Sequence, residues 1–163
     1  LEGVWSDGSF DLEGRHFVVE KGGLGSLVQG RSRPPIWLHG ADAPGAELLD
    51  HAQVLLIDTA PSLEVLADLI ADARRANPSL GVAAHLPLLA RGGEQDVAVE
   101  RERRSLPPSA LVGTYDAVAA ALATLARAGL DIAVLSAPDQ IQEVHIAGEQ
   151  VIGRFRAAAA IAA

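Results

Sequence analysis

The chain has 163 residues, 49% of them hydrophobic, and a formal net charge of −8. That length makes one domain able to bury a core, and the acidic balance excludes a nucleic-acid surface, which needs a basic patch to displace counterions. The absence of cysteine excludes disulfides, thiol catalysis and Cys-ligated zinc or iron–sulfur sites, and no apolar run reaches the ~18 residues of a membrane span.

No signal peptide opens the chain, so a cytoplasmic location is expected. The chain starts at Leu1 and contains no Met. It therefore reads as a processed product or as part of a longer chain.

Residues 1–33 read as a hairpin excursion and a loop. Ser9–Leu12 and His16–Glu20 are the expected strands, around the turn Glu13-Gly14-Arg15. Gly22, Gly23, Gly25 and Gly30 make a glycine-rich passage that precedes a Pro-Pro strand rather than a helix, so it is a hinge and not a phosphate cradle. Residues 34–156 read as four βα units. Pro34-Pro35 blocks helix and launches a first buried strand, Ile36–Leu38. A helix from about Pro44 to His51 follows, then a second strand at Val54–Ile57 and a helix from Ser62 to Ala76, ended by Asn77-Pro78. The third strand starts at Leu80 and ends between Leu86 and Leu89. Arg91–Ser105 is polar and partly helical. Its Arg101, Arg103 and Arg104 alternate with Glu100 and Glu102, which predicts a solvated helix face.

Leu111–Ser136 reads as one complete αβ step. Thr114 suits a helix N-cap, Val118, Leu122 and Leu125 recur at helical spacing, and Gly129 suits the left-handed residue after the helix. Ile132–Leu135 is the fourth strand, an apolar run of the kind buried on both faces. A last helix spans Ile141 to Phe155, and the alanine-rich residues 157–163 form a tail. Right-handed crossovers would lay all four strands parallel with the helices outside. Four βα units are half of a (β/α)₈ barrel, which needs about 250 residues. An open α/β sheet is the alternative.

Four segments in order carry a resemblance: DLEGRHFVVE (11–20), PPIWLHGADAPGAELL (34–49), LVGTYDAVAAAL (111–122) and LARAGLDIAVLS (125–136). Together they resemble the bacterial luciferase-like monooxygenases, within them the flavin-dependent alkanesulfonate and long-chain alkane type. The resemblance covers the family's C-terminal half, strands five to eight of its TIM-type barrel. It implies reduced FMN supplied by a flavin reductase, a small organic substrate and O₂. It also implies a homo-oligomer, or pairing with the missing barrel half. The family insertion after strand seven is shortened here to about residues 91–111.

The same resemblance nominates site residues. His39, Gly40, Ala41 and Asp42 stand where the family has a Gly-Ser-Ser-like loop that helps hold the flavin phosphate. Strand ends and helix starts are where such sites sit. Asp42, followed by Ala43-Pro44, equally fits an N-cap. His85 matches the His of a family Arg-Leu-His strand and is the candidate catalytic residue, although a lone strand His also serves as a core residue. Ala83 stands in place of that strand's Arg, leaving a sulfonate without its cation. Asp58 stands where the branch has a pocket Trp, and Pro138 where it has a Tyr. Ser136 is retained, though a strand-end Ser commonly caps a turn. Asp139 reads as a helix cap. His16, His39, His51 and His145 lack metal-ligand spacing, so no metal site is expected. Trp5 and Trp37 read as packing residues.

Three functions follow. The first is a flavin-dependent monooxygenase or the C-terminal portion of one. The second is a non-catalytic half-barrel that serves assembly, its end strands left as open edges. The third is an open α/β domain that binds a small acidic ligand at a strand-end crevice.

Overall fold

The computed structural model describes residues 2–5, 8–27, 33–40, 49, 51–58, 60–137 and 141–161. The chain divides at Pro35/Ile36 into two compact units.

The first unit holds an antiparallel pair, β1 (Phe10–Glu13) and β2 (Val18–Gly22). The turn between them is longer than expected: the Gly14 N–H donates to the Phe17 carbonyl at 2.9 Å, closing a turn over 14–17. A bulge follows Phe10 in the ladder. Across it Asp11 Oδ1 accepts the Lys21 N–H at 2.7 Å, which supports Lys21 at φ 51°, unusual for a residue with a side chain.

The second unit is a parallel sheet backed by helices. Its strands are β3 (Trp37–His39), β4 (Val54–Ile57), β5 (Gly81–Arg91), β6 (Leu111–Thr114) and β7 (Ile132–Ser136). β3, β4, β5 and β7 lie side by side, all parallel, as the four expected strands should. β6 is an addition to that expectation. Among the described residues it pairs only with the far end of β5, Leu88 to Arg91. β5 accordingly runs to Arg91, past the expected end between Leu86 and Leu89. Pro87, which has no N–H for a ladder, sits where β5 changes partners from β4 and β7 to β6.

Helices back the sheet, and the sequences of the described ones explain them. α1 (Leu63–Ala76) begins where Ser62 Oγ accepts the Val65 N–H at 3.2 Å, and it turns Leu66, Ile70 and Ala73 into the core. α2 (Glu94–Arg103) buries only Val97 and presents Arg101, Glu102 and Arg103 outward, as the charge pattern predicts, while Glu100, 23% exposed, turns to Arg91 and Arg104 instead. α3 (Tyr115–Ala128) is capped by Thr114 Oγ1 on the Ala117 N–H at 3.3 Å, and Gly129 takes φ 111° after it. The expected last helix is α4 (Ile141–Ile146), a π-helical stretch (Ala147–Ile152) and α5 (Gly153–Ile161) in one run, so part of the alanine-rich tail is helical. The helix expected at Pro44–His51 lies almost wholly outside the described residues. No described helix is long and apolar enough to cross a membrane.

The core lies between helices and sheet. Leu66, Ile70, Val118 and Leu122 pack against Leu55, Ile57, Val82, Ala84 and Leu86. Arg74 ties the N-terminal strand ends together. Its guanidinium donates to the Leu80 carbonyl at 2.6 Å and the Gly129 carbonyl at 3.0 Å, and it pairs with Asp131. Asp131 also accepts the Val82 N–H at 2.8 Å.

Candidate functional site

Strand register sorts the sheet residues into rows. Leu38, Leu55 and Val82 form one row and Ile57, Ala84 and Ala133 another. Their large members belong to the helix-side core. Alternation therefore points the intervening rows to the opposite face. These are Trp37 with Val54, then His39, Leu56, Ala83 and Ile132, then His85 with Val134, then Pro87 with Ser136.

Among the described residues that face is open in part, with Val54 and Ala83 buried on it. Trp37 is 42% exposed, Ile132 37% and Val134 41%. Two expectations are corrected here. The first strand is not buried at Trp37, and Ile132–Leu135 is not buried on both faces. Among the described residues the helices pack on the other side of the sheet, and on this side the outer strands β3 and β7 are left half covered.

Asp58 follows β4 directly, level with His85. Its Oδ1 lies 2.9 Å from His85 Nδ1 and its Oδ2 lies 3.2 Å from His39 Nε2. β3, β4 and β5 thus bring a His–Asp–His cluster together at the C-terminal ends of β3 and β4, beside the middle of β5, with all three side chains partly exposed. The sequence nominated His85 and His39 separately, for different roles, and treated Asp58 as a departure. The signal was available: His39 ends β3, Asp58 follows the end of β4, and His85 occupies the neighbouring position on β5. Among the described residues no group of three or more His, Cys, Asp or Glu is placed to hold a metal.

One row further on, Pro87, Leu88, Arg104, Ser105, Leu106, Ser136 and Ala137 line an open cleft of about 390 Å³. Ser136, retained in the sequence comparison, therefore faces a space at the strand ends. Of the nominated phosphate-loop residues, His39 lies beside Asp58. The Gly40 N–H donates to the Leu56 carbonyl at 3.3 Å. Ala41, Asp42, Pro138 and Asp139 lie outside the described residues. Arg91, at the end of β5, is engaged by Glu143 through two bonds of 2.7 and 2.9 Å, so its charge is matched within the chain. His16, His51 and His145 are exposed and outside the cluster.

No family model matches the chain, and no curated protein matches it in sequence. Solved structures do match. One is a riboflavin lyase with modified FMN and riboflavin (TM-score 0.72, 16% identity, 93% of this chain and 49% of that one). Another is the EDTA monooxygenase of Chelativorans sp. BNC1 (0.71, 16%, 93% and 52%). A third is the coenzyme F420-dependent tetrahydromethanopterin reductase of Methanopyrus kandleri (0.64, 13%, 93% and 60%). At this identity the likeness establishes the fold: parallel α/β units of the TIM-barrel type. The chain spans about half the length of the first two of these structures.

Proposed function

We propose that this chain supplies strands five to eight of a luciferase-like barrel. The completed cytoplasmic protein would be a flavin-dependent monooxygenase. In this reading reduced FMN comes from a flavin reductase, O₂ is the oxidant, and a small organic substrate meets His85. The observation that carries the reading is the fold likeness over 93% of this chain to proteins described with FMN or F420.

The described residues fit the planar part of such a cofactor. Leu56, Ile132 and Val134 give a small, partly exposed apolar patch beside His85, on the sheet face that no described helix covers. In this reading the phosphate contact falls to His39, Gly40, Ala41 and Asp42. When bound, the cofactor supplies the electron chemistry. The chain's part is to bind and orient it on that patch, keep water from the strand ends, and hold a proton at His85. Among the described residues β3 and β7 each pair on one side only, so a second set of strands, covalent or from another copy, would complete the wall.

A second reading, a non-catalytic half-barrel for assembly, draws on Ala83 and Asp58 in place of the branch's Arg and Trp and on the open strand edges. Intact mass of the natively expressed protein, with FMN and deazaflavin titrations followed by fluorescence quenching, separates them. A mass near twice that of these 163 residues with tight quenching supports the monooxygenase. A mass equal to them with no quenching supports the assembly module.

A further inference from the structure

The geometry points to Asp58 as a positioning residue that holds His85 through its Nδ1 and leaves His85 Nε2 as the proton acceptor beside the ends of β3 and β4. An aspartate carboxylate carries only acceptors, so a ring nitrogen hydrogen-bonded to it must donate. His85 meets Oδ1 with Nδ1 at 2.9 Å, so Nδ1 carries a proton and, in the neutral ring, the lone pair is on Nε2. His39 Nε2 lies 3.2 Å from Oδ2, close but without hydrogen-bond alignment, so Asp58 sets the His85 ring alone. The carboxylate thereby fixes the orientation of that ring through its hydrogen bond.

The surroundings leave that lone pair available. On the same face of β5, the flanking residues are Ala83 and Pro87, and the cross-strand neighbour is Val134. None has a side-chain donor. Among the described residues His85 Nε2 has no hydrogen-bond partner. A substrate bearing an O–H or N–H can pass its proton to Nε2 and keep the electron pair on its oxygen or nitrogen. His85 becomes an imidazolium that still donates Nδ1–H to Asp58, and the proton returns as product leaves. An anion with acceptors only, such as a sulfonate, would meet a lone pair backed by the Asp58 charge. The substrate class is therefore an alcohol or amine. What His85 does to substrate rests on the monooxygenase reading; the clamp does not.

The test is ¹⁵N NMR of the full chain labelled at histidine, at neutral pH, with His39→Gln and His85→Gln for assignment. The expected native spectrum has a protonated Nδ1 and bare Nε2 for His85. Asp58→Ala should lose the bare-Nε2 signal of His85. A native His85 protonated at Nε2, alone or at both nitrogens, overturns the proposal. So does an Asp58→Ala spectrum in which the His85 tautomer persists. A bare His85 Nε2 in a protein that binds no flavin would remove the oxidoreductase reading and keep the clamp. Flavin binding with His85 protonated at Nε2 would do the reverse.

Discussion

Replacing Arg74 with alanine tests how the N-terminal end of the sheet is tied together. The guanidinium holds two part-buried carbonyls from different elements, Leu80 ahead of β5 and Gly129 after α3, at 2.6 and 3.0 Å. Hydrogen bonds from a charged donor contribute about 1.5 kcal/mol each at the lower end of their range. The pair with Asp131 is 43% exposed on the aspartate side and adds no more than about 0.5 kcal/mol. The expected loss for Arg74→Ala is about 3 kcal/mol, which for a chain of this size lowers Tm by about 6–12 °C. Urea melts followed by circular dichroism should show a lower midpoint at unchanged slope. Arg74→Lys keeps the charge beside Asp131 but has one nitrogen in place of a fork, so it should recover less than half of the loss. A loss under about 1 kcal/mol for the alanine variant, or a lysine variant as stable as the native chain, would refute the reasoning.

Ser62→Ala removes the cap on Val65 and should cost about 1 kcal/mol in the same melts, with Ser62→Asp close to native. An unchanged midpoint in the alanine variant would mean that water serves that N–H equally well. Arg91→Ala should act locally. α4 buries none of its residues, and Glu143, 16% exposed, would lose its bidentate partner at a cost of about 2 kcal/mol. Amide exchange in Ile141–Ile146 should accelerate before the rest of the chain. A double-mutant cycle with Glu143→Ala that shows no coupling would sink this account.

The helices were legible because their signals are local. Ser62, Thr114 and Gly129 announce ends through backbone chemistry that does not depend on the rest of the fold, and each does what its residue type predicts. β6 was missed because Leu111–Thr114 is short, contains Gly113 and runs straight into a capped helix, so it reads as a lead-in. Only its pairing with the far end of β5 makes it a strand. The reach of β5 to Arg91 was hidden for a related reason, since Pro87 reads as a stop until its place at a change of partners is seen. Burial of β7 was overestimated because an apolar run reports what a strand could bury and not which layers are present. The cluster around Asp58 was legible in parts. His85 was singled out as a pocket residue, but its link to His39 depends on cross-strand register, which a linear pattern does not carry.

The π-helical stretch Ala147–Ile152 sets the phase of the last helical run. A π turn holds an extra residue relative to an α turn, so residues beyond it point in a different direction from those an uninterrupted α-helix would present. Before it, Glu143 is aimed at Arg91 on β5. After it, Arg154 is aimed at Asp116 at 2.9 Å and lies over the Tyr115 ring, both at the start of α3. Val151, fully buried within the stretch, is the pivot. The inserted residue works as a rotational offset that lets one helical run grip two different elements. Losing a residue there would turn one of the two grips away from its target without removing any contacting side chain.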